Sequence, residues 1–354
     1  MNEKSMNFLK LLLKNPSPSG YEDRVRKIWF DEMKSYSDNV KTDVHGNTMA
    51  SLNTENSPRI MLTGHMDELG FQVKYIDDNG FIYFGSLGGF DSGIIPGRIV
   101  RIHTKNGDVI GVTGKKAIHL IEKEEREKVP KPHKLYIDIG AKKKDEVKKI
   151  VEIGDPITYD SNFEQMRKDI FVSRAFDDKI GAFIVAEVMK NVFKIKGEFK
   201  ASLFSVATVQ EEVGIRGART SAYSIHPDIG IAIDVCHATD TPDVDVKRVG
   251  EIKLGEGASI VRGPNINPKV FSMLTDIAKN KKFSYQVDAN PRPTGTDANI
   301  IQVTREGVAT GLVAIPCRYM HTYTEVVSIK DVESAINILT EFCLFVDNKI
   351  DFTP

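Results

Sequence analysis

The chain has 354 residues, 41% of them hydrophobic and 27% charged, and a formal net charge of −1. That length suits two domains, or one large domain carrying an insertion, and a core of this size needs no disulfide staples. The near-zero charge gives no support for a nucleic-acid or membrane-surface partner. Cys236, Cys317 and Cys343 are an odd number without CxxC spacing, which points to a reducing compartment.

Near the N-terminus, Leu9 and Leu11-Leu12-Leu13 are interrupted by Lys10 and Lys14. The run is too short for a signal core, and no stretch approaches the ~20 apolar residues of a membrane span. The expected location is the cytoplasm. Residues 21–36 carry Val25, Ile28, Trp29 and Met33 at helical spacing. Short strands are predicted over 40–43, 48–52 and 59–63, punctuated by Gly46 and Pro58. From 71 to about 157 the texture changes. Strand-like runs at 71–76, 81–84, 99–104, 109–113 and 134–139 are separated by turn signals such as Asp78-Asn79-Gly80, the pattern of a small β-barrel or sandwich. One helix-like stretch, 142–151, is strongly basic. The α/β alternation resumes with a helix over 179–193, whose predicted apolar face is Ile180, Phe183, Ile184, Val188 and Val192. Buried strands are predicted over 201–208 and 229–233, and amphipathic helices over 268–280 and 329–346.

The chemistry concentrates at the ends of the apolar runs. Residues 64–70 read Gly-His-Met-Asp-Glu-Leu-Gly directly after Ile60-Met61-Leu62. In open α/β sheets this is the strand end where ligands gather. Three distant segments look like matching pieces: Phe176-Asp177-Asp178-Lys179, Gln210-Glu211-Glu212-Val213-Gly214 and Ala232-Ile233-Asp234-Val235. His321, in Tyr319-Met320-His321-Thr322, completes the set. Together they have the composition of a two-metal hydrolytic centre, which needs N and O donors on each ion, a bridging carboxylate and a separate carboxylate to move protons.

Each piece alone has an ordinary reading. Asp177-Asp178 suits a helix N-terminus, Asp234 a strand end, and His65 or His321 a packed or surface histidine. Glu211-Glu212 is the least ordinary, because two carboxylates at a buried strand end need a cation or proton between them. Paired carboxylates also cleave sugars, so an endoglucanase-like glycoside hydrolase is one alternative. It leaves His65 and His321 unused, and the single tryptophan, Trp29, sits in a predicted helix. A metal-dependent deacylase or carboxypeptidase is another alternative, and a non-catalytic metal-binding assembly protein a third.

On the quoted motifs, taken in order over essentially its full length, the chain resembles the tetrahedral (TET) aminopeptidases, metallopeptidase family forty-two. The resemblance implies a mixed, largely parallel α/β sheet flanked by helices (residues 1–69 and 160–354), with an inserted β-barrel dimerisation domain (70–159). By position it implies His65 and Asp234 on one metal, Glu212 and His321 on the other, and Asp177 bridging. Glu211 would be the general base, and Asp67 would orient the His65 imidazole. It further implies two divalent ions per subunit, zinc or cobalt, a cis bond at Asp177–Asp178, short peptide substrates, and dimers that assemble into tetrahedral dodecamers. His237 is excluded as a ligand because five suffice. His119, in the insertion, is expected to be a packed or interface residue, and His45 to sit in a turn. Residues 85–89, Gly-Ser-Leu-Gly-Gly, resemble a phosphate loop but lack the Gly-Lys-Ser/Thr that would follow. Residues 294–298, Thr-Gly-Thr-Asp-Ala, read as a capped helix start that the family places near the substrate pocket.

Overall fold

The computed structural model describes residues 1–123 and 126–354. Helices α1 (Glu3–Lys14) and α2 (Asp23–Met33) lead into strands β1 (Asn39–Thr42), β2 (Thr48–Leu52) and β3 (Arg59–His65). Then follow β4 (Gly70–Ile76), β5 (Ile82–Leu87), β6 (Ile99–Thr104), β7 (Gly107–Gly114), β8 (Tyr136–Asp138), the short α3 (Lys144–Val147) and β9 (Pro156–Tyr159). The remainder is β10 (Glu164–Arg167), β11 (Ile170–Ser173), α4 (Phe176–Phe193), β12 (Ser202–Thr208), α5 (Arg216–Ile225), β13 (Ile229–His237), α6 (Val246–Val249) and β14 (Ala258–Arg262). The last elements are α7 (Pro268–Lys281), β15 (Tyr285–Ala289), α8 (Asp297–Ile301), β16 (Ala309–Arg318), β17 (Glu325–Ser328) and α9 (Ile329–Phe345).

The N-terminal leucine run lies in α1, with Leu11 turned to solvent and the others inward. Its start is capped by Asn2, whose side chain accepts the Ser5 N–H, and Phe8, Leu9, Leu12 and Leu13 are buried. An apolar stripe at this spacing docks a helix onto a core.

Eleven strands form one mixed sheet in the order β1-β2-β12-β3-β13-β16-β17-β11-β10, with β14 and β15 branching from β16. The central strands β12, β3, β13 and β16 run parallel, and both flanks are antiparallel. Parallel strands covered on both faces read as unbroken apolar runs, and all seven residues of β12 are buried. Strand β13 continues four residues beyond its predicted end. Its ladder with β16 runs on to His237 and Cys317, so Asp234 lies within the strand rather than after it.

Helix α4 is buried around its whole circumference. Beyond the predicted face, Ala182, Val185, Ala186 and Met189 are also fully buried, because α4 is wedged between the sheet and helices α1 and α9. A helix apolar all round belongs in the interior of a large core.

The inserted strands close into a six-stranded barrel, β4-β5-β8-β7-β6-β9. Its own core includes Phe71, Val73, Ile82, Val100, Ile102, Ile137 and Ile157. The helix predicted over 142–151 shrinks to α3. Five lysines crowd this stretch, with Lys144 and Lys148 one turn apart, and like charges at that spacing disfavour continuation. No helix among the described residues is long and apolar enough to cross a membrane.

Candidate metal centre

The site forms at the C-terminal end of the parallel strands, where β3 meets α4. Gly64 has no room for a side chain, since a Cβ there would lie 2.1 Å from the Gly181 carbonyl carbon. Strand and helix backbones therefore touch, and His65 is held directly over the start of α4. Its N–H donates to Asp178 Oδ2 at 3.1 Å, while Asp178 Oδ1 accepts the Gly181 N–H at 2.9 Å. Asp178 thus caps the regular part of α4, which begins after the non-helical Asp177 and Asp178. The peptide between these two residues is cis, as the resemblance implied.

Asp177 faces both histidines. Its Oδ1 lies 3.2 Å from His65 Nε2 and its Oδ2 lies 3.2 Å from His321 Nε2. Glu211 Oε2 is 3.8 Å from His65 Nε2, and Glu212 Oε2 is 3.8 Å from His321 Nε2. Potential ligand atoms of His65, Asp177 and Glu212 lie within 4.8 Å of one another, as do those of His65, Asp178 and Asp234. All seven residues singled out from the sequence converge here. Asp67 differs in detail from expectation. The acceptor nearest His65 Nδ1 is the Asp67 backbone carbonyl, at 3.1 Å, with its carboxylate at 3.5 Å. That carboxylate instead accepts the N–H groups of Glu211 (3.0 Å) and Glu212 (3.2 Å) and the Ser19 hydroxyl.

The electrostatics describe a surplus of buried negative charge. Burial, with Asp234 nearby, pushes Glu211 up to about 9. Burial and the adjacent Asp177 push Asp234 up to about 8 and raise Glu212 well above the usual range. Asp177 moves the other way; against the cost of burial, hydrogen bonds from His321 and His65 hold it below the ordinary carboxylate range. Glu211 Oε1 and Glu212 Oε1 are buried with no hydrogen-bond partner. Clustered carboxylates with orphaned oxygens, beside two imidazoles, are a donor set that divalent cations fit.

Several contributors were not legible in the sequence. Glu325 is buried beneath Asp177 and accepts its N–H at 3.1 Å and that of His321 at 3.0 Å. The 85–89 loop, dismissed as a phosphate binder, approaches the site for another reason. A Cβ on Gly88 would meet Leu69 at 2.2 Å, with Glu212 3.4 Å away, and one on Gly89 would lie 3.9 Å from His321 Nδ1. Glu68, next to Asp67, joins Arg174 and Lys179 in a buried ion cluster behind the site. Of the other histidines, His237 is exposed at the cleft wall, His119 is exposed within the single subunit, and His45 sits in a turn closed by Asp43.

A cleft of about 710 Å³ opens from the cluster and is lined by His65, Asp177, Glu211, Glu212, Asp234 and His321 at one end. Thr294, Gly295 and Thr296 form part of its wall, and Thr296 is the N-cap residue of α8 without a side-chain cap bond. A second cleft of about 740 Å³, between α2 and the barrel, lacks this donor set, so size alone does not identify the site.

Imidazoles and carboxylates gathered at the ends of parallel strands, in an α/β domain interrupted by a barrel, define a metallopeptidase. The chain belongs to the M42 peptidase family, since the model described as M42 glutamyl aminopeptidase matches residues 46–338. It is 35% identical to the lysyl aminopeptidase of Pyrococcus furiosus over 98% of this chain and 99% of that one. Among solved structures, it resembles a TET aminopeptidase from a marine-sediment thaumarchaeote (TM-score 0.94, 32% identity, 98% of both chains). The Pyrococcus horikoshii TET1 peptidase, which can assemble into a tetrahedron or a large octahedral shell, superposes with TM-score 0.87 at 28% identity over 97% of this chain and 100% of that one. The protein is a metal-dependent aminopeptidase.

Proposed function

We propose that the enzyme removes N-terminal residues from short peptides with two divalent ions, zinc or cobalt. His65 and Asp234 would hold one, Glu212 and His321 the other, and Asp177 would be shared. The observation that carries this reading is the symmetric placement of the two Asp177 oxygens, each 3.2 Å from one histidine. Ions bound there would polarise the scissile carbonyl and lower the pKa of water. Glu211 is the proton carrier. Bound cations would offset the burial and neighbouring carboxylates that raise Glu211, and its Oε1 would then take a proton from the attacking water and return it to the leaving amine. The Asp67 carbonyl holds the His65 Nδ1–H and so presents Nε2 to the cluster, while the Asp67 carboxylate fixes the backbone of Glu211 and Glu212.

The barrel would pair subunits, and the pairs would assemble into a tetrahedral dodecamer. Its surface exposes Tyr75, Ile99, Ile110 and Val112, each about half accessible, more apolar surface than an isolated barrel needs to show solvent. Three free cysteines suit the reducing cytoplasm.

The test compares a dipeptide with its N-acetylated form, before and after chelation. Only the free dipeptide should be cleaved. Activity should vanish with chelator and return on adding zinc or cobalt. Equal cleavage of the blocked peptide would point to a deacylase, and activity surviving exhaustive chelation would remove the metal mechanism.

A further inference from the structure

The cleft does not end at the metal-binding cluster. Beyond Asp234, strand β13 continues along its wall, followed by Val249, Ile252, Val261, Leu312 and Ala314. This apolar wall carries one further carboxylate, Asp288. Asp288 lies on β15 in register with Val261 of β14, and residues paired in this way share a face of the sheet. Cys236, two residues after Asp234 and on the same side of β13, lines the same cleft as both acids.

Asp288 is half-buried and, among the described residues, pairs with no Lys or Arg. Among the described residues, no Lys or Arg lines the cleft, and the groups that oppose the rise of the Asp288 carboxyl are the Ala289 backbone N–H and then the exposed His237. Desolvation pushes its carboxyl above the ordinary range, as expected of an acid with no Lys or Arg beside it in a largely apolar wall.

We propose that this arm of the cleft receives the side chain of the substrate's first residue and that Asp288 selects a cationic one, lysine or arginine. The proposal rests on the aminopeptidase reading above, in which the first residue's amine and carbonyl sit at the metal-binding cluster. A lysine or arginine stem is apolar for three or four methylenes and charged at its tip, which matches an apolar wall with a carboxylate on it. A leucine side chain would bury Asp288 without a partner, an unfavourable exchange. A glutamate side chain would meet a like charge in a cleft that offers it no Lys or Arg.

The experiment measures kcat/KM for lysyl-, arginyl-, leucyl- and glutamyl-p-nitroanilide with the metal-loaded enzyme and with Asp288→Asn and Asp288→Glu. The wild-type enzyme should favour lysyl and arginyl over leucyl substrate and cleave the glutamyl substrate least. In Asp288→Asn the lysyl-to-leucyl ratio should fall by roughly 10–100-fold, the range for losing a hydrogen bond to a charged group. Asp288→Glu should retain most of the ratio. Calorimetry should find L-lysine binding the wild type more tightly than L-leucine, with the difference lost in Asp288→Asn. A wild-type preference for leucyl or glutamyl substrate, or a ratio unmoved by Asp288→Asn, would overturn this proposal and leave the aminopeptidase reading intact. Failure to cleave any of the four substrates would overturn both.

Discussion

Glu325 accepts the backbone N–H of Asp177 at 3.1 Å, so a buried carboxylate sits directly behind the residue that faces both histidines. Its other oxygen accepts the N–H of His321 at 3.0 Å. One side chain therefore fixes two of the groups assigned to the metals, through their backbones and not their side chains. His321 needs such a clamp, because it has a left-handed φ of 61°, a conformation a non-glycine residue keeps only when its surroundings enforce it.

Glu325→Ala should weaken metal binding by about 10–100-fold, the usual effect of removing a partner that orients a ligand. Glu325→Gln, which retains one acceptor oxygen, should lie between the variant and wild type. Metal content after dialysis against graded chelator would show this. Unchanged retention in Glu325→Ala would mean that the clamp has no bearing on the centre.

Glu211→Gln should keep its metals and lose turnover by about 10²–10⁴-fold, the range for a general base. The basis is the unpartnered Oε1, beside His65, on a residue that neither proposed ligand set needs for completion. Elemental analysis of the purified variant, alongside turnover, separates the roles. Loss of one metal equivalent would make Glu211 a ligand, and near-normal turnover would make it neither.

Acid stability should depend on Glu68. Despite its burial, Arg174 and Lys179 hold this carboxyl down to about 2, from an ordinary 4.5. Lys179 also falls, to about 8, because burial and the neighbouring Arg174 outweigh its attraction to Glu68. A folded-state value below the unfolded one means that the contribution is complete above about pH 4.5 and is lost as pH falls toward 2. The gap of about 2.5 units corresponds to about 3 kcal/mol. Urea unfolding between pH 6 and 3 should therefore show a falling midpoint. Glu68→Gln should be less stable at pH 6, where it leaves two buried cations unpaired, and less sensitive to acid. An equally steep acid loss in the variant would place the titrating group elsewhere.

Charge placed on the barrel surface should disrupt assembly. Ile110→Asp combined with Val112→Asp introduces two carboxylates where exposed apolar side chains stand on β7. The product should be a smaller species by light scattering, with unchanged circular dichroism. An oligomer of unaltered size would show that subunits meet through another surface.

The sequence alone determined the two-part architecture and most of the centre. Barrel strands announced themselves by alternation and turns, and the parallel strands by unbroken apolar runs, because both signals are local and follow from which faces are buried. His65, Asp67, Asp177, Glu211, Glu212, Asp234 and His321 stood out because charged groups beside such runs are anomalous in a core. The tertiary structure alone decided which groups support them. Glu325 follows Tyr323-Thr324 and opens the short strand β17, with nothing in its neighbours to mark it. Only the pairing of β17 with β11 and β16 carries it beneath Asp177, 148 residues away. Asp288 sits on an edge strand with nothing around it in sequence to suggest a cleft, and Gly88 reaches Glu212 only because the barrel folds back over the sheet. These placements depend on contacts between segments far apart in the chain, and no window of residues contains the packing that brings them together.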